Sequence, residues 1–383
     1  MKPVYLDNSA TTALSEAAKA AMREAMEAYA NPSSLHTPGT EARALVEDAR
    51  QKILAAAGIR KGWRLVFTGS GSEANNLAIA GFVFSGKHVS ARRILTTDSE
   101  HPSVENTAER MRSFGYEHVK IPTRGGALDL AVLEEELKKG AALVSLMLVN
   151  NETGALYDYA KAAELTRRYA PEALLHCDAV QGLLRVPLPL DCADMISVSA
   201  HKIHGPKGCG ALFAREELFT RKCLSPVISG GEQEWGLRGG TENTVCIAGF
   251  GAAADEARRN YAADRARLDA LYRFAAEKLT MVGCRINVPQ NAVSHILSVT
   301  LPGIKSQTML SFLSAAGVCV SAGSACSSKD RHISRALSAF GLSDGDADAT
   351  IRVSLCAQNT EEEIDVLCGA LRDGIKRLIK FKK

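Results

Sequence analysis

Three short stretches carry side chains whose types and spacing suit chemistry. The first is Thr68-Gly-Ser-Gly-Ser-Glu-Ala-Asn75, between a strand-like and a helix-like segment. Glycines let backbone N–H groups approach a phosphate, and a helix start favours the anion. The same string also fits a plain tight turn with Ser72 as N-cap. It matches Gly-x-Gly-x-x-Ala as well, the dinucleotide-binding form, with Asp98 following near a strand end. A nicotinamide-dependent dehydrogenase is therefore an alternative at this point. The second stretch, His176-Cys-Asp-Ala-Val-Gln-Gly182, ends an apolar strand. Asp178 there reads either as a structural cap or as the anionic partner of a ring nitrogen. The carboxyl ends of parallel strands are where ligands sit in open α/β sheets. The third is Ser199-Ala-His-Lys-Ile-His-Gly-Pro-Lys-Gly208. Lys202 reads either as a solvated surface residue or as a partly desolvated Schiff-base lysine. Ser199-x-x-Lys202 formally matches a penicillin-recognising pattern, but that serine opens a helix and this one ends a strand. His201 and His204 have one metal-ligand spacing, yet no further ligands cluster near them, so no metal is expected.

The three stretches make joint sense as one pyridoxal phosphate site. The first would hold the phosphate, helped by Ser199 and His201. Asp178 would keep the pyridine nitrogen protonated, and Lys202 would bond the carbonyl carbon. A protonated ring is what makes this cofactor an electron sink. The dehydrogenase reading explains only the first stretch.

Such loops need a scaffold. Segments 16–30 and 40–57 read as helices. Strand-like runs at 64–68, 93–97, 142–149, 173–177 and 195–199 alternate with helical segments, including helices from about Ser72 and Pro102. Residues 142–149 are almost wholly apolar, as in a central strand covered on both faces. The alternation predicts a mostly parallel sheet with helices on both faces. After Thr244 the pattern changes. A long helical stretch runs to about Thr280, followed by short strands near 284–288, 294–301 and 351–355, with a helix near 305–316. A last helix from Glu361 is Glu-rich at its start and Lys-rich at its end, matching its dipole. These features predict a large domain over 16–255 and a smaller α+β domain over 256–383, joined by the N-terminal segment 1–15.

Composition narrows the partners. With 383 residues the chain has room for two or three domains. Its net charge of +3 argues against nucleic-acid binding through a broad basic face. No apolar run reaches the roughly 18 residues of a membrane span, and the N-terminus lacks a signal peptide's apolar core. Ten cysteines without an export signal read as reduced thiols in a cytoplasm. Most, such as Cys177, Cys246 and Cys319, lie in apolar runs where a thiol packs as a small hydrophobe. Cys326 differs. It lies in Ser321-Ala-Gly-Ser-Ala-Cys-Ser-Ser-Lys-Asp330, a composition that suits a mobile loop where a thiolate is reachable.

Nine strings in order resemble the cysteine desulfurases of the NifS/IscS type, within the class V aminotransferase-like, fold-type I pyridoxal phosphate enzymes. They are Tyr5-Leu-Asp-Asn-Ser-Ala-Thr-Thr12, Asn31-Pro-Ser-Ser-Leu-His36, Glu100-His-Pro102 and Val149-Asn-Asn-Glu-Thr-Gly154. They continue with Asp178-Ala-Val-Gln181, Ser199-Ala-His-Lys202, Arg238-Gly-Gly-Thr-Glu-Asn243, Ser324-Ala-Cys326 and Arg352-Val-Ser354. The resemblance runs nearly end to end.

The resemblance implies roles residue by residue. Lys202 is the cofactor-bonding lysine and proton shuttle, and His101 stacks on the pyridine and acts as an acid or base. Asp178 pairs with the ring nitrogen, and Gln181 with the phenolic oxygen. Gly71, Ser72, Ser199 and His201 hold the phosphate. Thr241 reaches the phosphate of a neighbouring subunit, which implies a homodimer with shared sites. Asn151 and Arg352 orient the substrate carboxylate, assisted by Asn8. Cys326 takes sulfur from L-cysteine as a persulfide, leaving L-alanine, and passes it to a protein acceptor such as an iron–sulfur scaffold. Selenocysteine lyases and other class V enzymes share the scaffold and stand as alternatives. A sulfur-pathway binding protein without catalysis is more distant. The chain departs from the family in reading Gly69-Ser-Gly-Ser72 where Ser-Gly-Ala-Thr is frequent. It also has a few residues fewer between Cys326 and Ile333 than long-loop members. Cys356 follows the Arg352 strand with no functional account.

Overall fold

The computed structural model describes residues 3–87, 91–323 and 333–380. Its centre is a seven-stranded sheet. The strands are β1 (Trp63–Thr68), β2 (Arg93–Thr97), β3 (Glu117–Ile121), β4 (Leu143–Met147), β5 (Leu174–Asp178), β6 (Met195–Ser199) and β7 (Gly210–Arg215), in the order β1-β7-β6-β5-β4-β2-β3. All are mutually parallel except β7, which runs antiparallel between β1 and β6. The mostly parallel sheet expected from the alternation is present. Every residue of β4 and of β6 is buried, as a strand covered on both faces requires. The six parallel strands β1 to β6 send their carboxyl ends to one edge.

Local signals set the helices around that edge. The helix Gly71–Phe84 follows β1, and its N-cap is Ser70, whose Oγ accepts from the Glu73 amide. This corrects the expectation of Ser72, which lies inside the first turn with its hydroxyl not used as the cap. The first helix is Glu16–Glu27, shorter than expected, because the chain leaves helical geometry at Ala28 ahead of Pro32. The second is Thr37–Ala56. It starts earlier than expected because His36 Nδ1 accepts from the Gly39 amide and Pro38 suits the first turn.

A second, three-stranded antiparallel sheet pairs Arg285–Ile286, Ile296–Thr300 and Thr350–Ser354. Its core includes Leu297, Val299, Ile351, Val353 and Leu367. The 38-residue helix Thr244–Met281 serves both cores. Ile247, Phe250 and Ala254 pack with the large sheet, and Leu268, Leu271, Ala275 and Leu279 with the small one. The expected division at 255/256 thus falls inside this helix. Val4–Tyr5 pairs in parallel with Val318–Cys319, and Leu6 joins the second core. The N-terminal segment then returns to the large sheet's edge, where Thr12 N donates to His201 O at 2.9 Å. Among the described residues no helix is long and apolar enough to cross a membrane.

Candidate active site

The strand ends surround one cavity of about 270 Å³. It is lined by Gly71 and Ser72 after β1, His101 after β2, Asn151 after β4 and Asp178 and Gln181 from the end of β5. Ser199, His201 and Lys202 line it from β6, and Arg352 from the small sheet. Ten of the residues singled out in the sequence therefore meet in one place. Asn8 does not line this cavity. It borders a smaller pocket beside Lys202, and its Nδ2 donates to Ser354 O at 3.0 Å and Asn359 Oδ1 at 3.1 Å. Thr241 is exposed, away from its own chain's cavity. Cys326 lies outside the described residues.

The end of the cavity at Gly71 suits an anion. Gly71 leaves no space for a side chain, because a Cβ there would lie 2.6 Å from Val180 Cγ2. Ser199 Oγ is buried and finds no hydrogen-bond partner among the described residues. A buried hydroxyl left unmatched costs free energy, so an oxygen-rich ligand there is favoured. His201 Nδ1 meets Thr11 Oγ1 at 3.2 Å. Burial, with Lys202 and Lys207 adding to it, pushes His201 down to about 4, so its ring is neutral near pH 7.

Asp178 is a fixed acceptor in the same cavity. Asn75 Nδ2 donates to its Oδ2 at 2.7 Å, and the Val180 amide donates to its Oδ1 at 3.0 Å. Such donors stabilise a carboxylate and aim it. His101 is N-cap of the helix Pro102–Arg110. Its Nδ1 accepts from the Ser103 amide at 3.1 Å, which places the neutral ring's proton on Nε2. Burial first, then Lys202, hold His101 below the usual imidazole range, against an upward pull from Asp178. One ring thus both caps this helix and lines the cavity.

Lys202 Nζ donates to the carbonyls of Ser9 at 2.5 Å and Ala10 at 2.9 Å. These backbone partners hold the amine at the cavity, in the 3-10 turn Ala200–Lys202 just beyond β6. Gln181 Nε2 donates to Ser9 O at 2.9 Å, so the segment 9–10 braces both side chains. Arg352 is held by Asp7 Oδ1 at 2.8 Å and by Asn151 O at 2.8 Å, while its Nε is buried without a partner.

A family model for class-V aminotransferases matches residues 4–367. The chain belongs to that family. A cysteine desulfurase of Trichormus azollae is 34% identical over 387 residues, which cover 99% of this chain and 94% of the relative. Within the class-V family the chain therefore groups with the cysteine desulfurases. A solved NifS-like protein matches with a TM-score of 0.90 at 31% identity, over 99% of this chain and 100% of its own. The solved SspA, in complex with cysteine, matches with a TM-score of 0.80 at 30% identity, over 93% of this chain and 99% of its own. The NifS-like architecture confirms the fold expected from the resemblance.

Among and beside the cavity-lining groups lie supporting residues with no role evident in the sequence. Asp7, Asn75, Glu100 and Glu152 sat inside the quoted strings, and that placement was their only signal. Glu100 is the most unusual. Its Oε1 accepts from Thr97 Oγ1 at 2.8 Å and the Met147 amide at 2.9 Å, while Oε2 is buried without a partner. Burial first, with the Asp178 charge adding to it, pushes its carboxyl up to about 8. The unfolded chain loses this proton from about pH 4.5 upward, whereas the fold keeps it to about 8. The fold therefore holds more protons across that window, and its stability declines as pH rises through it. Glu100→Gln lacks this slope. Its denaturation midpoint is expected to gain on the wild type steadily from about pH 5 to about pH 8. A constant difference across that range would contradict a neutral buried Glu100.

The segment around Thr241 is anchored firmly. Arg50 donates to both oxygens of Glu234, at 2.8 and 3.0 Å, and the Phe67 amide donates to Glu234 Oε2 at 2.8 Å. Its guanidinium lies between the Phe67 and Trp235 rings, 4.7 and 4.8 Å from their centroids. Glu234 and Trp235 have φ of 49° and 56°, a strained backbone that needs such a clamp. Arg238 Nε then donates to Glu73 Oε1 at 3.1 Å, and Glu73 Oε2 accepts from the Gly69 amide at 2.8 Å. The segment 238–243 is thus tied to the loop after β1.

Proposed function

We propose that the protein is a pyridoxal phosphate-dependent cysteine desulfurase that moves sulfur from L-cysteine to Cys326 and leaves L-alanine. The observation that carries this reading is the convergence of Lys202, His101, Asp178 and the unpartnered Ser199 hydroxyl on one cavity. Those residues fit the cofactor. Gly71, Ser72, Ser199 and His201 would hold its phosphate, Asp178 its ring nitrogen and Gln181 its phenolic oxygen. His101 would lie against its ring, and Lys202 would bond it. When bound, the cofactor supplies an electron sink for the carbanion formed at the substrate's Cα.

The chain's own groups do the rest. Arg352 and Asn151 orient the substrate carboxylate, with Asn8 assisting from the adjoining pocket. The Arg352 fork suits such a group, and Asp7 fixes its direction. Lys202 moves the proton at Cα. His101, neutral and carrying its proton on Nε2, donates or accepts at the substrate thiol. An unperturbed thiol titrates near ~8.5, so such help is needed to form thiolates at neutral pH. The Cys326 thiolate then attacks the substrate sulfur. The Cβ–S bond breaks, carbon keeps the electron pair and takes a proton, and the sulfur remains on Cys326 as a persulfide. The products are alanine and a persulfide that needs an acceptor.

The same reading extends to partners. Thr241 is exposed and tied through Arg238 and Glu73 to the phosphate loop, which suits a homodimer in which it reaches the other subunit's phosphate. The acceptor we propose is a protein such as an iron–sulfur scaffold, and persulfide handling beside free thiols suits a reducing cytoplasm. The test is turnover of L-cysteine by the holoenzyme with a reducing agent. Alanine and sulfide are expected in equal amounts. Alanine without sulfide, or neither product, would overturn the reading.

A further inference from the structure

Glu152 carries a carboxyl group only 7% exposed, in the loop that follows β4, and burial raises its pKa above the usual carboxyl value against the pull of Ser334 and Arg352. Burying such a group costs several kcal/mol in general, so its partners have to hold it well. The loop itself is rigid in its hydrogen bonds. Asn150 Oδ1 accepts from the amides of Glu152 at 3.0 Å and Thr153 at 2.9 Å, and Asn150 Nδ2 donates to Ser99 O at 3.1 Å. Between these residues, Asn151 O receives Arg352 Nη1 at 2.8 Å. The backbone of Glu152 is therefore fixed to the segment that leads to His101 and to the Arg352 side chain.

Its carboxyl group meets two distant parts of the chain. Ser334 Oγ donates to Glu152 Oε2. Gly323 approaches the same oxygen, and a Cβ on Gly323 would lie 3.0 Å from it. Gly323 also has φ of 48°, so a side chain there would be disfavoured by backbone as well as by space. Ser334 in turn caps the helix Arg335–Phe340, its Oγ accepting from the Leu337 amide at 3.3 Å. Arg335 pairs with Glu105, which lies on the helix capped by His101. Gly323 and Ser334 are the described residues on either side of 324–332, the stretch that contains Cys326.

We infer that Glu152 is a positioning residue for sulfur transfer, hydrogen-bonded to Ser334 on one flank of the Cys326-bearing stretch and packed against Gly323 on the other, and joined through its own loop to Arg352 at Asn151. This inference rests on the reading of Cys326 as the thiol that takes the sulfur. Group transfer needs reacting atoms within about 3–3.5 Å, and a displacement of about 1 Å can cost about 10²-fold. A loosened anchor therefore slows the step at Cys326 and spares the steps at the cofactor.

Single-turnover experiments on the holoenzyme separate these steps. The cysteine-induced change in the cofactor's visible spectrum reports substrate binding and Cα proton transfer. The mass of Cys326 reports persulfide formation. Glu152→Ala and Ser334→Ala are each expected to slow persulfide formation roughly 10- to 100-fold while the spectral change keeps its rate and cysteine dependence. Glu152→Gln, which still accepts from Ser334, is expected to recover most of the loss. Wild-type persulfide rates in Ser334→Ala would overturn the inference even if Glu152→Ala fails to fold. So would a parallel loss of the spectral change in all three variants, which would mark a general structural role. A wild-type protein that gives the spectral change but no persulfide on Cys326 would instead overturn the desulfurase reading on which the inference rests.

Discussion

Lys202→Ala yields a protein that no longer traps pyridoxal phosphate covalently on borohydride reduction. Its desulfuration falls by about 10²–10⁴-fold, the range for losing a positioned acid–base group. The expectation follows from where the amine sits. It lies at the end of β6, in the same cavity as His101 and Asp178, and its hydrogen-bond partners at Ser9 and Ala10 are neutral carbonyls. The fold itself should persist, because Lys202 lies at the cavity and in no apolar cluster. Ser199 and the loop after β1, proposed to grip the phosphate, are untouched, so the cofactor is expected to stay bound without a covalent link. A borohydride-stable adduct in Lys202→Ala would mean that another amine bonds the cofactor.

Cys326→Ala has the opposite signature. The cofactor's visible band and its response to cysteine persist, while alanine and sulfide release fall to background. The two effects separate because no described residue lining the cavity is a cysteine, so the groups proposed to hold the cofactor are untouched. The nine other cysteines cannot substitute readily. All are free, and six of them are buried. Burial pushes the thiols of Cys177, Cys209 and Cys356 up, away from the thiolate form that attacks sulfur. Cys356, which had no account in the sequence, is thus a packed residue whose amide is held by Asn359 Oδ1 at 2.8 Å. Undiminished alanine release in Cys326→Ala would remove this cysteine from the mechanism.

Much of this site is legible in the sequence because its residues announce themselves locally. Asp178 and Ser199 end apolar strands, and a parallel sheet carries such ends to one edge. Strands β4 and β6 are readable because a strand buried on both faces is apolar throughout. β7 is not readable in this way. Its antiparallel place between β1 and β6 comes from long-range pairing, which six residues of Gly-Ala-Leu-Phe-Ala-Arg do not encode locally. β3 escapes notice because an edge strand with alternating polar residues lacks an apolar run. Helix ends shift with single caps, as at Ser70 and His36.

The supporting residues are the least legible, for a physical reason. Asp7 meets Arg352 across 345 positions, and Glu152 meets Ser334 across 182. A carboxylate of this kind looks in sequence like any surface acid, and only burial and a distant donor distinguish it. Glu100 is similar, since its neutrality depends on enclosure between β2 and β4 rather than on its neighbours in the chain.

The central claim is that sulfur passes from L-cysteine onto Cys326. It is tested most directly by incubating the holoenzyme with L-cysteine in the absence of reductant and locating the added sulfur by peptide mass spectrometry. The peptide containing Cys326 is expected to become one sulfur atom heavier, with alanine formed in step and the mass reversed by a thiol reductant. Alanine formation with that peptide unchanged, or with the extra sulfur on another cysteine, would contradict it.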